Sequence, residues 1–285
     1  MEKSRRNAGA WMLAPFYLFT VVFVALPLLY LLALSFCTRA ELWGVIPKFT
    51  FRNYLDILSP TYLSTFLQSI KLSVISTFLI AVIGYPYGYF MAKLSLKWKK
   101  RMMLLLIIPF LTNSLLRISG WILLFRSGGP LDRLLLCAHI TEKPLRLLYT
   151  YPAVVVGMVY ALLPFMIFTV YSSAEKLDAS LLEAARDLGA TPMQAFFTVT
   201  WKLTLPGLLG GVILTFIPSM GLFYIADILG GNKVVLVGSV IQEQLLKTHN
   251  WPFAGALSVV LMVLTILLIA IYKKVTHSGE VEGIL

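Results

Sequence analysis

The chain has 285 residues, of which 59% are hydrophobic and only 13% charged, with a mean hydropathy of +0.84. A soluble domain is nearer half apolar and a quarter charged, so an ordinary water-soluble fold is excluded and no length remains for a second soluble domain. The net charge of +11 would suit a nucleic-acid binder, but the Lys and Arg residues sit in short loops between apolar runs, where a membrane protein places them; no nucleic-acid partner is expected.

A helix spans a bilayer with about 20 apolar residues. Six stretches qualify: Trp11–Phe36, Phe66–Ala92, Met102–Phe125, Tyr151–Tyr171, Gly207–Leu229 and Pro252–Tyr272. The expected fold is an all-α integral membrane protein with six transmembrane helices. Lys3, Arg5 and Arg6 precede the first stretch as they would in a signal peptide, but its apolar core is too long for one and no small-residue cleavage site follows, so it reads as a retained anchor. The loop holding Lys93, Lys97, Lys99, Lys100 and Arg101 sets the orientation, against a weaker opposing group of Arg126, Arg133, Lys143 and Arg146. Both termini and residues 173–206 are then cytoplasmic. Residues 1–65 read as tail, first span and outer loop, 66–272 as the core, and 273–285 as a cytoplasmic tail. Cys37 and Cys137 fall on the outer side; unpaired thiols are favoured over a disulfide.

Ionisable residues inside spans are expensive and usually face a cavity or one another. Lys71, near the outer start of span two, reads as a snorkelling lysine. Tyr85, Tyr87 and Tyr89 are weaker path candidates, because i, i+2 and i+4 do not share one helix face. In span three, Arg117 follows Asn113 by four residues, so the two can share a face. Two readings stand for Arg117: a structural or gating pair with a carboxylate of another span, or snorkelling to the outer headgroups.

Residues 173–206 are polar and read as helix, tight turn, helix. Ser180 and Glu183 have capping-box spacing, Gly189 supplies a left-handed stop, and Thr191, Pro192 and Gln194 restart the helix. Ala184, Ala185 and Leu188 make a small apolar face opposite Glu183, Arg186 and Asp187. The surplus of acid over base disfavours a helix lying on anionic lipid, which points to a protein-docking knob.

In span five, Asp227 follows Phe223 and Tyr224 at i−4 and i−3, and Pro218 and Gly221 are expected to break or kink the helix before them. A carboxylate beside two aromatic faces suits an organic cation. Counting from Gly207, Asp227 lies roughly 30 Å up the helix, near the outer mouth. Two readings stand: a substrate-path acid, or an interfacial acid that ends the span before Gly230 and Gly231. Glu243 lies in the segment Val234–Leu246, expected as a short re-entrant or outer helix that faces either the pore or a partner. Trp251 and Phe253 read as interface anchors. No phosphate-binding loop is present, and His139, His249 and His277 lack metal-ligand spacing, so no catalytic site, cofactor or metal is expected.

The run Glu183-Ala184-Ala185-x3-Gly189, in a cytoplasmic loop before the last two spans, resembles the signature of inner-membrane permease subunits of ATP-binding-cassette (ABC) importers. That family's pattern continues with I-x-L-P. Here Val199-Thr200-Trp201-Lys202 stands in its place, and Leu203-Thr204-Leu205-Pro206-Gly207 is expected to start span five instead. Within the family the chain is similar to permeases of spermidine/putrescine importers, on EKLDASLLEAARDLGA (175–190), PSMGLFYIADILGG (218–231), WPF (251–253), YPYGYFMAKL (85–94) and IPFLTNSLLRI (108–118). The resemblance implies a type I ABC importer permease fold in a bacterial inner membrane. It implies a heterodimer with a second related permease, a homodimeric ATP-binding subunit, a periplasmic substrate-binding protein and a polyamine substrate. Glu183, Ala184, Ala185, Asp187 and Gly189 would then couple to the ATPase. Another small solute, or a secondary transporter driven by an ion gradient, are the alternatives; the second lacks the internal repeats common in that class.

Overall fold

The computed structural model describes residues 15–40, 44–141, 143 and 145–281, with side chains to residue 274. Lys3, Arg5, Arg6 and the start of the first predicted span lie outside the described residues, as do the side chain of His277 and the end of the tail. The chain divides into two compact units, the described parts of Met1–Leu63 with Val240–Leu264, and Ser64–Ser239 with the described part of Thr265–Leu285.

In the first unit, helix α1 (Pro15–Ser35) is apolar all round and almost entirely exposed, the pattern of a helix whose solvent is lipid. A two-residue antiparallel pair follows, β1 (Thr38–Arg39) with β2 (Val45–Ile46), Thr38 opposite Ile46. Phe36 stacks on Phe49 at 5.2 Å and meets Phe51 edge-on at 5.5 Å. Asn53, in α2 (Arg52–Ile57), donates to the carbonyls of Ser35 and Cys37 at 2.8 and 2.9 Å. These bonds satisfy C-terminal carbonyls that α1 leaves open.

The second unit holds most of α3 (Pro60–Lys93), then α4 (Leu96–Leu111), α5 (Ser114–Phe125), α6 (Pro130–Cys137), α7 (Tyr151–Ala174), α8 (Ala179–Asp187), α9 (Pro192–Gly221), α10 (Phe223–Gly230) and the start of α11 (Val237–Leu246). Helix α12 (Trp251–Val281) runs from the first unit into the second. Helix α7 is the centre of the second unit. Its Val154 and Met158 share a core with Leu72, Ile118, Ile225 and Leu229, while its Met166 and Val170 share another with Ile80 and Tyr85. Apolar burial does not drive helices together in lipid, so close backbone approach must. A Cβ on Gly157 would strike Ile225, and one on Gly207 would strike the Thr169 carbonyl.

Among the described residues five helices are long and apolar enough to cross a membrane; the bent pair formed by α4 with Ser114–Cys137, which turns by 96°, makes a sixth if it is one broken span and is otherwise a re-entrant loop. The uninterrupted helix predicted over Met102–Phe125 is therefore corrected to a broken one. The helix tightens to a 3₁₀ turn at Ile108–Leu111, and Thr112 and Asn113 take extended backbone. Pro109 lies in that turn, and Asn113 caps α5 by accepting the Leu115 N–H at 2.8 Å. A second correction concerns span five. It starts at Pro192, not near Gly207, and Pro206 sits inside the helix.

Candidate functional site

The loop over residues 173–206 keeps the predicted turn but changes its caps. Asp178 caps α8, accepting the Ser180 N–H at 3.0 Å. Ser180 thus lies inside the helix, and the capping box predicted for Ser180 and Glu183 is replaced by this cap two residues earlier. The Ser180 N–H and hydroxyl hold the Asp178 carboxyl below the usual carboxylate range. Gly189 has φ +85°, and the Ala190 N–H reaches back to the Ala185 carbonyl at 3.0 Å, closing the helix through a left-handed residue. Thr191 and Gln194 form the predicted capping box, with Gln194 Oε1 accepting the Thr191 N–H at 2.9 Å. The expected second short helix is the first turn of α9, continuous with the span to Gly221 over 30 residues. A π-helical turn at Phe196–Thr200 joins the two parts.

Glu183, Ala184, Asp187 and Gly189 are exposed and Ala185 is half-buried. Leu188 is 90% exposed and Met193 68%, so the loop offers water an apolar tip that none of the described residues covers. Glu183 and Arg186 line a cleft of about 300 Å³, with Tyr89, Lys93 and Glu175 on its other walls. The base of the loop is strapped to two spans. Tyr171 donates to Glu175 Oε1 at 2.5 Å, and Lys99 pairs with the same oxygen at 3.1 Å. The Tyr171 hydrogen bond, and after it the Lys99 ammonium, hold Glu175 below the usual carboxylate range.

Sequence reasoning undervalued Tyr85 and Tyr89. They stack in parallel, and Tyr85 shares a hydrogen bond with Thr204 at 2.8 Å and meets Trp201 at 5.1 Å. Tyr89 meets Phe196 at 5.9 Å and carries the Lys93 ammonium 4.2 Å above its ring. This aromatic clamp ties α3 to the π-helical turn at Phe196–Thr200. The signal was the i, i+4 pair; Tyr87 lies off it, bonded to Met102 sulfur.

Asp227, Tyr224 and Phe223 come together on α10, all half-buried. The expected break falls at Leu222 (φ −76°, ψ 58°), and left-handed Gly231 ends α10. Ser239, at the start of α11, donates to Asp227 Oδ1 at 3.1 Å. Glu243 is exposed on α11 and lies 3.9 Å from Lys247, one turn on.

Asn113 is the cap of α5, and its carbonyl accepts the Arg117 N–H one turn on at 3.2 Å. Among the described residues no carboxylate pairs with Arg117. Its guanidinium instead lies 4.8 Å from the Phe110 ring and 6.0 Å from that of Tyr160, and its Nε is buried without a hydrogen bond. Of the two readings open for Arg117, a carboxylate pair and snorkelling, the described residues supply no carboxylate, and aromatic faces stand in its place. A cation at the centre of a membrane helix costs about 3 kcal/mol on insertion scales, and two ring contacts of about 0.5–2 kcal/mol each offset much of it.

Residues 84–277 match the model of the binding-protein-dependent transport system inner membrane component. The chain belongs to this family. The chain is 42% identical over 257 residues to the spermidine/putrescine transport system permease protein PotB of Escherichia coli (strain K12), covering 90% of this chain and 94% of the relative. To PotB of Salmonella typhimurium (strain LT2) it is 44% identical, covering 90% of each. A permease chain in the crystal structure of a bacterial alginate ABC transporter superposes with a TM-score of 0.74 at 14% identity, over 95% of this chain and 94% of that one; at that identity the likeness concerns fold alone. The fold is that of a type I ABC importer permease, and the chain is a multi-pass inner-membrane transport subunit.

Proposed function

We propose that this chain is one permease of an ATP-driven polyamine importer, with residues 66–272 as its core. It supplies half of the translocation path, pairs with a second related permease, and receives spermidine or putrescine from a periplasmic binding protein. The extent of identity to the PotB proteins carries this reading. The geometry supports it: an acid beside two aromatic rings, next to a helix break, is suited to an ammonium group on an alkyl chain. Both termini and the docking loop face the cytoplasm, where a separate homodimeric ATPase grips Glu183, Ala184, Ala185, Asp187 and Gly189. The exposed tip at Leu188 gives that partner an apolar anchor between charges. Phe223, Tyr224 and Asp227 lie on the substrate's route, and Arg117, Asn113 and Glu243 serve gating or structure.

The test is uptake of labelled spermidine and putrescine by cells that lack their own polyamine importers and express this chain with its partner subunits. ATP-dependent uptake that collapses with Asp227→Asn supports both substrate class and path. An intact complex with an active ATPase and no polyamine uptake overturns the substrate and leaves the importer.

A further inference from the structure

The Arg117 guanidinium is a cation held where a membrane protein rarely keeps one, and among the described residues only rings hold it. Phe110 and Tyr160 present their faces to it at 4.8 and 6.0 Å. Each ring is backed by another: Phe165 meets Phe110 edge-on at 5.8 Å, and Trp121 meets Tyr160 at 5.4 Å. Tyr160 lies nine residues into α7, roughly 14 Å from its start, so the box is well inside the bundle. Directly beside it the chain bends by 96°, and Leu111, Thr112 and Asn113 at the bend are exposed. Irregular backbone at membrane depth is tolerated only inside protein or along a water-filled cavity. Exposure in this chain rules out burial within it, so the bend faces either water or the second permease across the path.

Aromatic faces that hold a guanidinium attract an alkylammonium by the same ring quadrupole. We infer that the Phe110–Tyr160 box is a cation station on the translocation path, and that Arg117 is its tethered occupant, displaced when a substrate ammonium arrives. Two cations repel at such spacing, so they exchange one for one. The displaced guanidinium moves into water at the exposed bend. This inference rests on the polyamine reading above, since a neutral or anionic solute would not use the box.

The experiment uses the complete complex with its partner subunits in proteoliposomes, supplied with saturating loaded binding protein. Arg117→Gln empties the box of its own cation, and Arg117→Met serves the same purpose if the Gln variant does not assemble. In that background position 160 is changed to Phe and then to mono-, di- and trifluorinated phenylalanine, which drain the ring's negative face and barely change its size. Uptake of labelled spermidine is expected to fall stepwise, roughly tenfold across the series, with assembly unchanged. A flat series, with the wild-type complex importing polyamine, overturns the station and leaves the proposed function standing. A wild-type complex that imports no polyamine removes the proposed function and this inference with it.

Discussion

Helices α5 and α8 begin alike and end up doing different work. Each follows a sharp change of chain direction, and each is capped by an Asx side chain that accepts the N–H two residues on, Asn113 from Leu115 and Asp178 from Ser180. Each carries a charge a turn or so in, Arg117 or Glu183. Around α8 the neighbours are water and a polar cleft, so Glu183 needs no fixed partner and is free to be read by another subunit. Around α5 the neighbours are rings from α4 and α7, so Arg117 is held by parts of the chain that its own segment does not contain. A charge near water is an invitation to a partner, whereas a charge inside a bundle is a tie between spans.

The comparison breaks most visibly at Glu183. Glu183→Arg reverses the charge offered to the ATPase and is expected to abolish co-purification of that subunit and uptake, with membrane insertion unchanged; normal co-purification and uptake would sever α8 from docking. Gly189→Val comes next. A β-branched residue forced to φ +85° carries a strain of roughly 1–2 kcal/mol, so uptake should drop about tenfold at unchanged expression, and wild-type transport would remove the turn from the argument. Asn113→Ala takes the cap from α5 and should lower the thermal stability of the purified complex by an amount equivalent to about 1 kcal/mol; an unshifted melting curve means the bend is held by the rings alone.

The smallest effect belongs to Glu175. Its carboxyl is held below the usual range by Tyr171 and then Lys99. A depressed folded-state value means the contribution is complete above the ordinary carboxylate value of about 4.3 and is lost only as pH falls below it. Uptake between pH 5 and 8 should therefore show no inflection that Glu175→Gln removes, and such an inflection would contradict the strap as described.

The features legible in the sequence were those with local causes. Gly189 and the Thr191–Gln194 box act within a single turn, and Pro218 and Gly221 preceded a break that fell at Leu222 as expected. Apolar length located the other four spans, but neither the break in span three nor the start of span five. What escaped notice depended on distant residues. The bend at Thr112–Asn113 lies in a run that is apolar on average, and Pro109 with the polar stretch Thr112-Asn113-Ser114 was its only local sign. For Arg117 the sequence leaves a carboxylate pair or snorkelling open, because Phe110 and Tyr160 are indistinguishable in sequence from lipid-facing aromatics. The helix from Pro192 to Gly221 was divided in two because Pro206 read as a start, whereas membrane helices accept interior proline when neighbours satisfy the freed carbonyls.

That helix has a mechanical consequence. Thirty residues from Pro192 to Gly221 make a rod of about 45 Å. One end carries the turn after Gly189, and the other stops at Leu222, one residue before the α10 segment that holds Asp227. A rod of this length needs little input: tilting it by about 5° sweeps its far end by roughly 4 Å, more than the length of a hydrogen bond. On the proposed function, work delivered at the Gly189 end would arrive at α10 as a displacement large enough to make or break a grip on a single ammonium group, with Leu222 as the joint.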